Sequence, residues 1–283
     1  MAKQLTITLR LQRQLILADQ LLAFGMTLPM TKDLHSIKYP RDAVVTTVAL
    51  FTKAHVTFRS IIVLCKNGLD RPATALTRSL FETMLNLAFL LRKQVSLHRF
   101  HPGQANPKTA LNLHGERLTP EFRHALFNTW SLLRDEKTIA NWQTTPGIKQ
   151  RGKRVLKKLT QLDRSYMDTI SSAWQQSIKG SNTCTGLSVF DFAASLGFQK
   201  WYRTIYAGDS AFVHQSDVVS YLSNTRDGDF APRLFMDARD VSGVLLHGAT
   251  LYFCCIHEMH KRFRFGQKAD KPIQKFEMRL TKW

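Results

Sequence analysis

The sequence predicts an all-α protein, a single irregular helical bundle of about eight to ten helices. Three observations predict it. Helical periodicity runs through the 283 residues and no strand alternation interrupts it. Long apolar stretches end at glycines or prolines, as helices do. A 44% hydrophobic content with five Trp and 18 Phe gives the chain enough apolar surface for a sizeable core and excludes a disordered one.

Taken in order, a first helix covers Lys3 to Phe24 and stops at Gly25. A second runs from Arg41 to Asn67, where Gly68 suits a left-handed cap. A third, Arg71 to Lys93, follows after a short link, with Pro72 in its first turn, so the two are antiparallel neighbours. The loop HPGQANP (His101 to Pro107) precedes shorter helices over Lys108 to Leu133, one of them started by Pro120. After the break Thr145-Pro146-Gly147, a long helix spans Lys149 to Ile178. Aromatic-rich helices follow over Ser188 to Phe198 and Trp201 to Tyr221, the latter interrupted near Gly208. RDGDFAP (Arg226 to Pro232) is a turn, a last helix covers Asp237 to Arg264, and residues from about 265 to 283 form a basic tail. No repeat or boundary splits the chain, so one domain is expected.

The net charge is +19 and the pI 10.1, which points to polyanionic partners: RNA, DNA or an anionic surface. Cys65, Cys184, Cys254 and Cys255 form no CxxC pair, which suits reduced intracellular thiols rather than a disulfide framework. No secretory signal is visible, and the basic, Leu-rich N-terminus reads as a helix rather than an organelle presequence. The longest apolar region, Ala43 to Cys65, contains Lys53, His55 and Arg59, which on this reading rules out an ordinary transmembrane span.

One feature of the third helix is unusual. Arg78, Glu82 and Asn86 recur every four residues and so share a face, among Leu80, Phe81, Met84, Leu85 and Leu87 to Leu91. A carboxylate in such company is costly unless paired and hydrogen-bonded. The stripe therefore either fixes the fold or does chemistry. A second polar row, Tyr202, Tyr206, Ser210 and His214, has the same spacing, and the two rows can face each other in one bundle.

The RSLFE pentapeptide (Arg78 to Glu82) followed by Tyr206, Ser210 and His214-Gln215-Ser216 resembles a widespread bacterial family of helical proteins, domain of unknown function 5677. The resemblance covers roughly Arg41 to His257. It implies an all-helical cytoplasmic protein with no established activity, some of whose relatives resemble genes of phage-defence or toxin loci.

Metal-free RNA cleavage needs a base for the ribose 2′-hydroxyl, an acid for the leaving 5′-oxygen and a cation for the phosphate. Glu82 as base, His214 as acid and Arg78 as clamp meet that need, with Tyr206 and Ser210 orienting the histidine or binding phosphate. The competing account is a structural Arg78–Glu82 network completed by Asn86 and Tyr206. The Arg-x(4–6)-His signature of helical toxin nucleases has two weak matches, Arg92 to His98 and Arg117 to His124, the second spanning Pro120. Lys149, Arg151, Lys153, Arg154, Lys157 and Lys158, with Lys261, Arg262, Arg264 and Lys268, can follow a phosphate backbone. Phe263, Phe265 and Trp283 can stack on unpaired bases or belong to the core. No metal or cofactor is expected, since adjacent Cys254 and Cys255 diverge by about 100° on a helix and cannot join His257 and His260 around one ion. The expected function is a nucleic-acid-directed defence or toxin effector, with RNA ahead of DNA. The alternatives are a non-enzymatic binding subunit, or a scaffold for a protein of the same locus.

Overall fold

The structure, a computed structural model, describes residues 9–28, 41–98, 118–143, 170–207, 222–224, 230–232 and 238–282. The fold is all-α, with nine α-helices among the described residues. They are α1 (Leu9–Thr27), α2 (Arg41–Lys66), α3 (Asp70–Leu91), α4 (Pro120–Gln143), α5 (Ser172–Ile178), α6 (Val189–Ser195), α7 (Gln199–Trp201), α8 (Ala238–Phe263) and α9 (Gln267–Leu280). A π-helical turn, Tyr202–Ala207, continues α7, and two three-residue strands, β1 (Leu222–Asn224) and β2 (Phe230–Pro232), pair antiparallel, so the end of the segment expected as a turn is a strand. The residues gather in two compact units, 1–91 with 200–283, and 92–199.

In the first unit α2, α3 and α8 pack on one another and α1 lies against α2 and α8. Gly68 takes a φ of 70° at the end of α2, and the Leu69 N–H reaches back to the Leu64 carbonyl at 2.9 Å. That left-handed cap reverses the chain in three residues and lays α3 along α2. Phe58, Ile61, Phe81, Met84, Leu87, Leu245, Ala249 and Tyr252 are buried. By length and composition alone Ala43–Lys66 is apolar enough to cross a membrane, in spite of Lys53, His55 and Arg59. Its Phe51, Ala54, Phe58, Ile61 and Cys65 point into the core, and Val45, Lys53, Val56, Arg59 and Val63 point outward.

Two further expectations, at the ends of the first unit, need correcting. Gly25 does not stop α1, which continues to Thr27. A Cβ there would collide with the Tyr252 hydroxyl and lie 2.8 Å from its Cζ, so the glycine admits α8 at close range. The region expected as a basic tail contains α9, whose Ala269, Ile273, Phe276 and Leu280 are buried. Full burial of a large apolar side chain contributes about 1.5–3 kcal/mol, so this segment belongs to the folded body. His260 Nε2 meets Asp270 at 2.8 Å, Phe276 sits 5.5 Å from Phe24, and Arg279 donates to Gln20 at 2.9 Å.

In the second unit α4 begins at Pro120, as its sequence signal requires, with the Thr119 hydroxyl accepting from the Phe122 N–H at 3.2 Å. Trp174 is sealed against the edge of Phe122, and the Trp130 indole N–H donates to the Ser181 carbonyl at 3.0 Å. The Ser188 hydroxyl caps α6 by accepting from the Asp191 N–H at 3.0 Å. The helix expected from Lys149 to Ile178 is not continuous: Ser171 is non-helical, with a ψ of 151°, and α5 starts afresh after it, while residues 149–169 lie outside the described residues.

Candidate functional site

The site grows out of the register of α3. Every third or fourth residue that faces α2 and α8 is sealed, which leaves Arg71, Ala75, Arg78, Glu82 and Asn86 on the remaining, half-open face. The sequence places the Glu82 carboxylate among apolar neighbours. The structure instead leaves its side chain 38% exposed and that of Arg78 19% exposed. The charge-burial penalty therefore does not arise, because the polar stripe is the seam of the helix and not its core.

Over that seam lies the π-helical turn. A π turn carries one more residue per hydrogen-bonded ring than an α-helix and commonly marks a functional position. Here it aims Tyr206 at α3. The Tyr206 hydroxyl donates to Glu82 Oε1 at 3.0 Å and accepts from Arg78 Nη2 at 2.7 Å. The Arg78 guanidinium carbon also lies 4.2 Å from the Tyr206 ring centre, a cation–π contact worth about 0.5–2 kcal/mol. The direct ion pair is looser, with Arg78 Nε 3.8 Å from Glu82 Oε1. At such exposure it contributes only about 0–1 kcal/mol. The tyrosine is thus what ties the two charges together. Its own ring is held between Tyr202, stacked at 5.1 Å, and Phe81 at 5.7 Å.

Burial pushes the Tyr206 phenol above its usual range, with the Glu82 charge adding to the effect and the Arg78 hydrogen bond opposing it. The hydroxyl therefore stays protonated at neutral pH and keeps its proton on the side of Glu82. One Glu82 oxygen takes that hydrogen bond, and the partly exposed carboxylate has further acceptor capacity for an incoming donor.

Of the sequence-predicted residues, Arg78, Glu82 and Tyr206 come together. Ser210 and His214 lie outside the described residues, as do Lys149, Arg151, Lys153, Arg154, Lys157 and Lys158. Arg262 and Arg264 close α8, Arg262 half-buried and Arg264 exposed with a φ of 46°. The neighbouring Phe263 and Phe265 are 1% and 7% exposed, so they are core residues and not base-stacking platforms. The Arg92 guanidinium donates to the Leu196 carbonyl at 2.6 Å and lies 4.9 Å from the Phe198 ring. It ties the chain after α3 to the end of α6, a structural task. Among the described residues no group of three or more His, Cys, Asp or Glu side chains is placed to hold a metal ion.

Sequence reasoning missed two features of this unit. The His55 Nδ1 and the Tyr252 hydroxyl hydrogen-bond at 2.7 Å across 197 positions, a pairing no local pattern signals. Trp201 of α7 and, from the far side of the π turn, Thr204 and Ile205 line a cavity together with His247 and His257. Half of that cavity was visible as helical spacing on α8, but its other wall comes from the aperiodic turn.

A family model, the family of unknown function DUF5677, matches residues 44–230. No curated protein and no solved structure matches the chain.

Proposed function

The chain belongs to the DUF5677 family, a membership that brings no activity with it, and we propose that it is a nucleic-acid-directed effector that cleaves RNA without a metal. The observation that carries this reading is the half-open Arg78–Tyr206–Glu82 triad. The triad keeps a carboxylate in reach of solvent, beside a guanidinium, on a chain of net charge +19. In the proposed reaction Glu82 takes the proton of a ribose 2′-hydroxyl, whose oxygen attacks the adjacent phosphorus. Arg78 holds the phosphate oxygens, and His214 gives a proton to the departing 5′-oxygen. The products are a 2′,3′-cyclic phosphate and a free 5′-hydroxyl. Tyr206 is a positioning residue that fixes the Glu82 carboxylate and steers the guanidinium. Arg262, Arg264 and the lysines and arginines between 149 and 158 supply backbone attraction without base readout.

One observation favours a second reading, a non-enzymatic nucleic-acid-binding or scaffold subunit: the Arg78 guanidinium is already engaged by both the ring and the hydroxyl of Tyr206. The two readings part on one experiment. Purified protein in EDTA is expected to produce 2′,3′-cyclic phosphate ends, and Glu82→Gln and His214→Ala each to lose about 10²–10⁴-fold in rate at matched Tm. Salt-sensitive RNA binding by all three proteins with no cleavage by any would assign the chain to the second reading.

A further inference from the structure

The cavity behind the π turn measures about 480 Å³, within the range of roughly 300–1,000 Å³ usual for ligand pockets. It is walled by Trp201 and Thr204 on one side and by His247, Thr250, Phe253 and His257 of α8 on the other. On α8 the residues His247, Thr250, Cys254 and His257 follow at intervals of three, four and three, so one helix face supplies them all. Phe253 and His257 hold their ring planes parallel to within 12°, 6.0 Å apart, a stack that a further planar ring can extend.

We propose that this cavity is a binding site for a nucleobase, presented either by a free mononucleotide or by an unpaired residue of a single strand. The polar groups argue for a heterocycle over an alkyl chain. Burial lowers both His247 and His257 below the usual histidine range, and Lys261 adds to the effect at His257. Both imidazoles are therefore neutral at pH 7, each with one N–H donor and one bare nitrogen. That matches the alternating donors and acceptors along a base edge. An alkyl chain would strip water from the same nitrogens without replacing their hydrogen bonds, at about 1–3 kcal/mol for each group left unmatched; the Thr250 hydroxyl donates to the Leu246 carbonyl at 2.9 Å and keeps its acceptor lone pairs. At the mouth the exposed Lys200 and Glu277 carry opposite charges, so the cavity is no general anion trap. Lys200 is placed to meet a phosphate attached to the base, and Glu277 to accept from an exocyclic amine.

The site is independent of the cleavage reading, because binding requires neither Glu82 nor His214. Cys254 provides a built-in reporter: it is half-buried in the cavity wall, and the other three cysteines are buried. The test titrates full-length protein with the ribonucleoside 5′-monophosphates and with a single-stranded 2′-O-methyl oligoribonucleotide, which cannot be cleaved through a 2′-hydroxyl. Maleimide labelling of Cys254 is followed throughout. A saturable 1:1 ligand that slows labelling is expected, and Thr250→Phe, which fills the cavity, and His247→Ala should each weaken it about tenfold or more. Protection by monophosphates identifies a free nucleotide as the source; protection by the oligonucleotide alone identifies an unpaired base. The proposal is overturned if neither probe protects Cys254, if decanoate protects it and nucleotides do not, or if binding is unchanged in both variants.

Discussion

Two tyrosines of the same unit hydrogen-bond through their hydroxyls, and they do so in opposite settings. Tyr252 is 0% exposed, stacked on Phe58 at 4.8 Å and Phe51 at 5.9 Å, and its hydroxyl meets the neutral-range imidazole of His55 at 2.7 Å. Tyr206 is 6% exposed, but its hydroxyl stands between a guanidinium and a carboxylate that is itself 38% exposed. Burial raises both phenols, and at Tyr206 two charges pull against each other. The first arrangement spends its hydrogen bond on joining α8 to α2. The second holds two charges in position at the surface. The difference teaches that burial of a tyrosine ring says little about its role; the exposure and charge of what its hydroxyl touches decide that.

The comparison breaks most visibly at Gly25. Gly25→Ala forces a methyl group onto the Tyr252 ring, and a loss of about 1–3 kcal/mol is expected, seen as a drop of several degrees in Tm. Adding Tyr252→Phe should recover part of that loss, because the hydroxyl clash goes while the ring carbon stays 2.8 Å from the new Cβ. Simple additivity of the two substitutions would contradict the contact.

A smaller effect is expected from pH. His55, His247 and His257 all titrate below the usual histidine value of 6.5 when folded, mainly because burial disfavours their charge. The unfolded chain therefore binds more protons as pH falls below about 6.5, so this stability is complete above that pH and is lost on acidification. Asp70, raised by burial, shifts stability in the other direction, but lower, where carboxylates titrate. Urea midpoints should fall from pH 7.5 to 5.5, and His55→Gln should flatten that fall. A midpoint that rises on acidification across this window would contradict the assignment.

The smallest expected effect concerns the charged end of α8. Arg264→Gln should leave Tm unchanged and reduce the salt dependence of RNA binding by about one phosphate's worth of slope. An unaltered slope would remove that residue from the nucleic-acid surface.

Much of the fold was legible in the sequence. The four-residue spacing of Arg78 and Glu82, the cap at Gly68 and, in the second unit, the helix start at Pro120 are local signals, and local signals survive folding. What covers a face is not local, so the same spacing could not tell that the Glu82 stripe lies at a half-open seam. Gly25 was misread because a helix stop and a close helix crossing both select glycine. Segment 267–280 was misread because its charges hid a clean apolar row, Ala269, Ile273, Phe276 and Leu280, at intervals of four, three and four. The cavity needed a wall from Trp201 together with Thr204 and Ile205 of the π turn, whose geometry follows no sequence period.

The most direct measurement sets Tyr206→Phe against Tyr252→Phe, with RNA cleavage in EDTA and Tm recorded on the same preparations. Tyr206→Phe is expected to lose most of its cleavage rate with little change in Tm, since it frees Glu82 and Arg78 at a half-open surface. Tyr252→Phe is expected to lose about 1 kcal/mol of stability while cleaving normally well below its Tm. Equal losses of stability with cleavage retained in both would contradict the account and make the Arg78–Tyr206–Glu82 triad architecture.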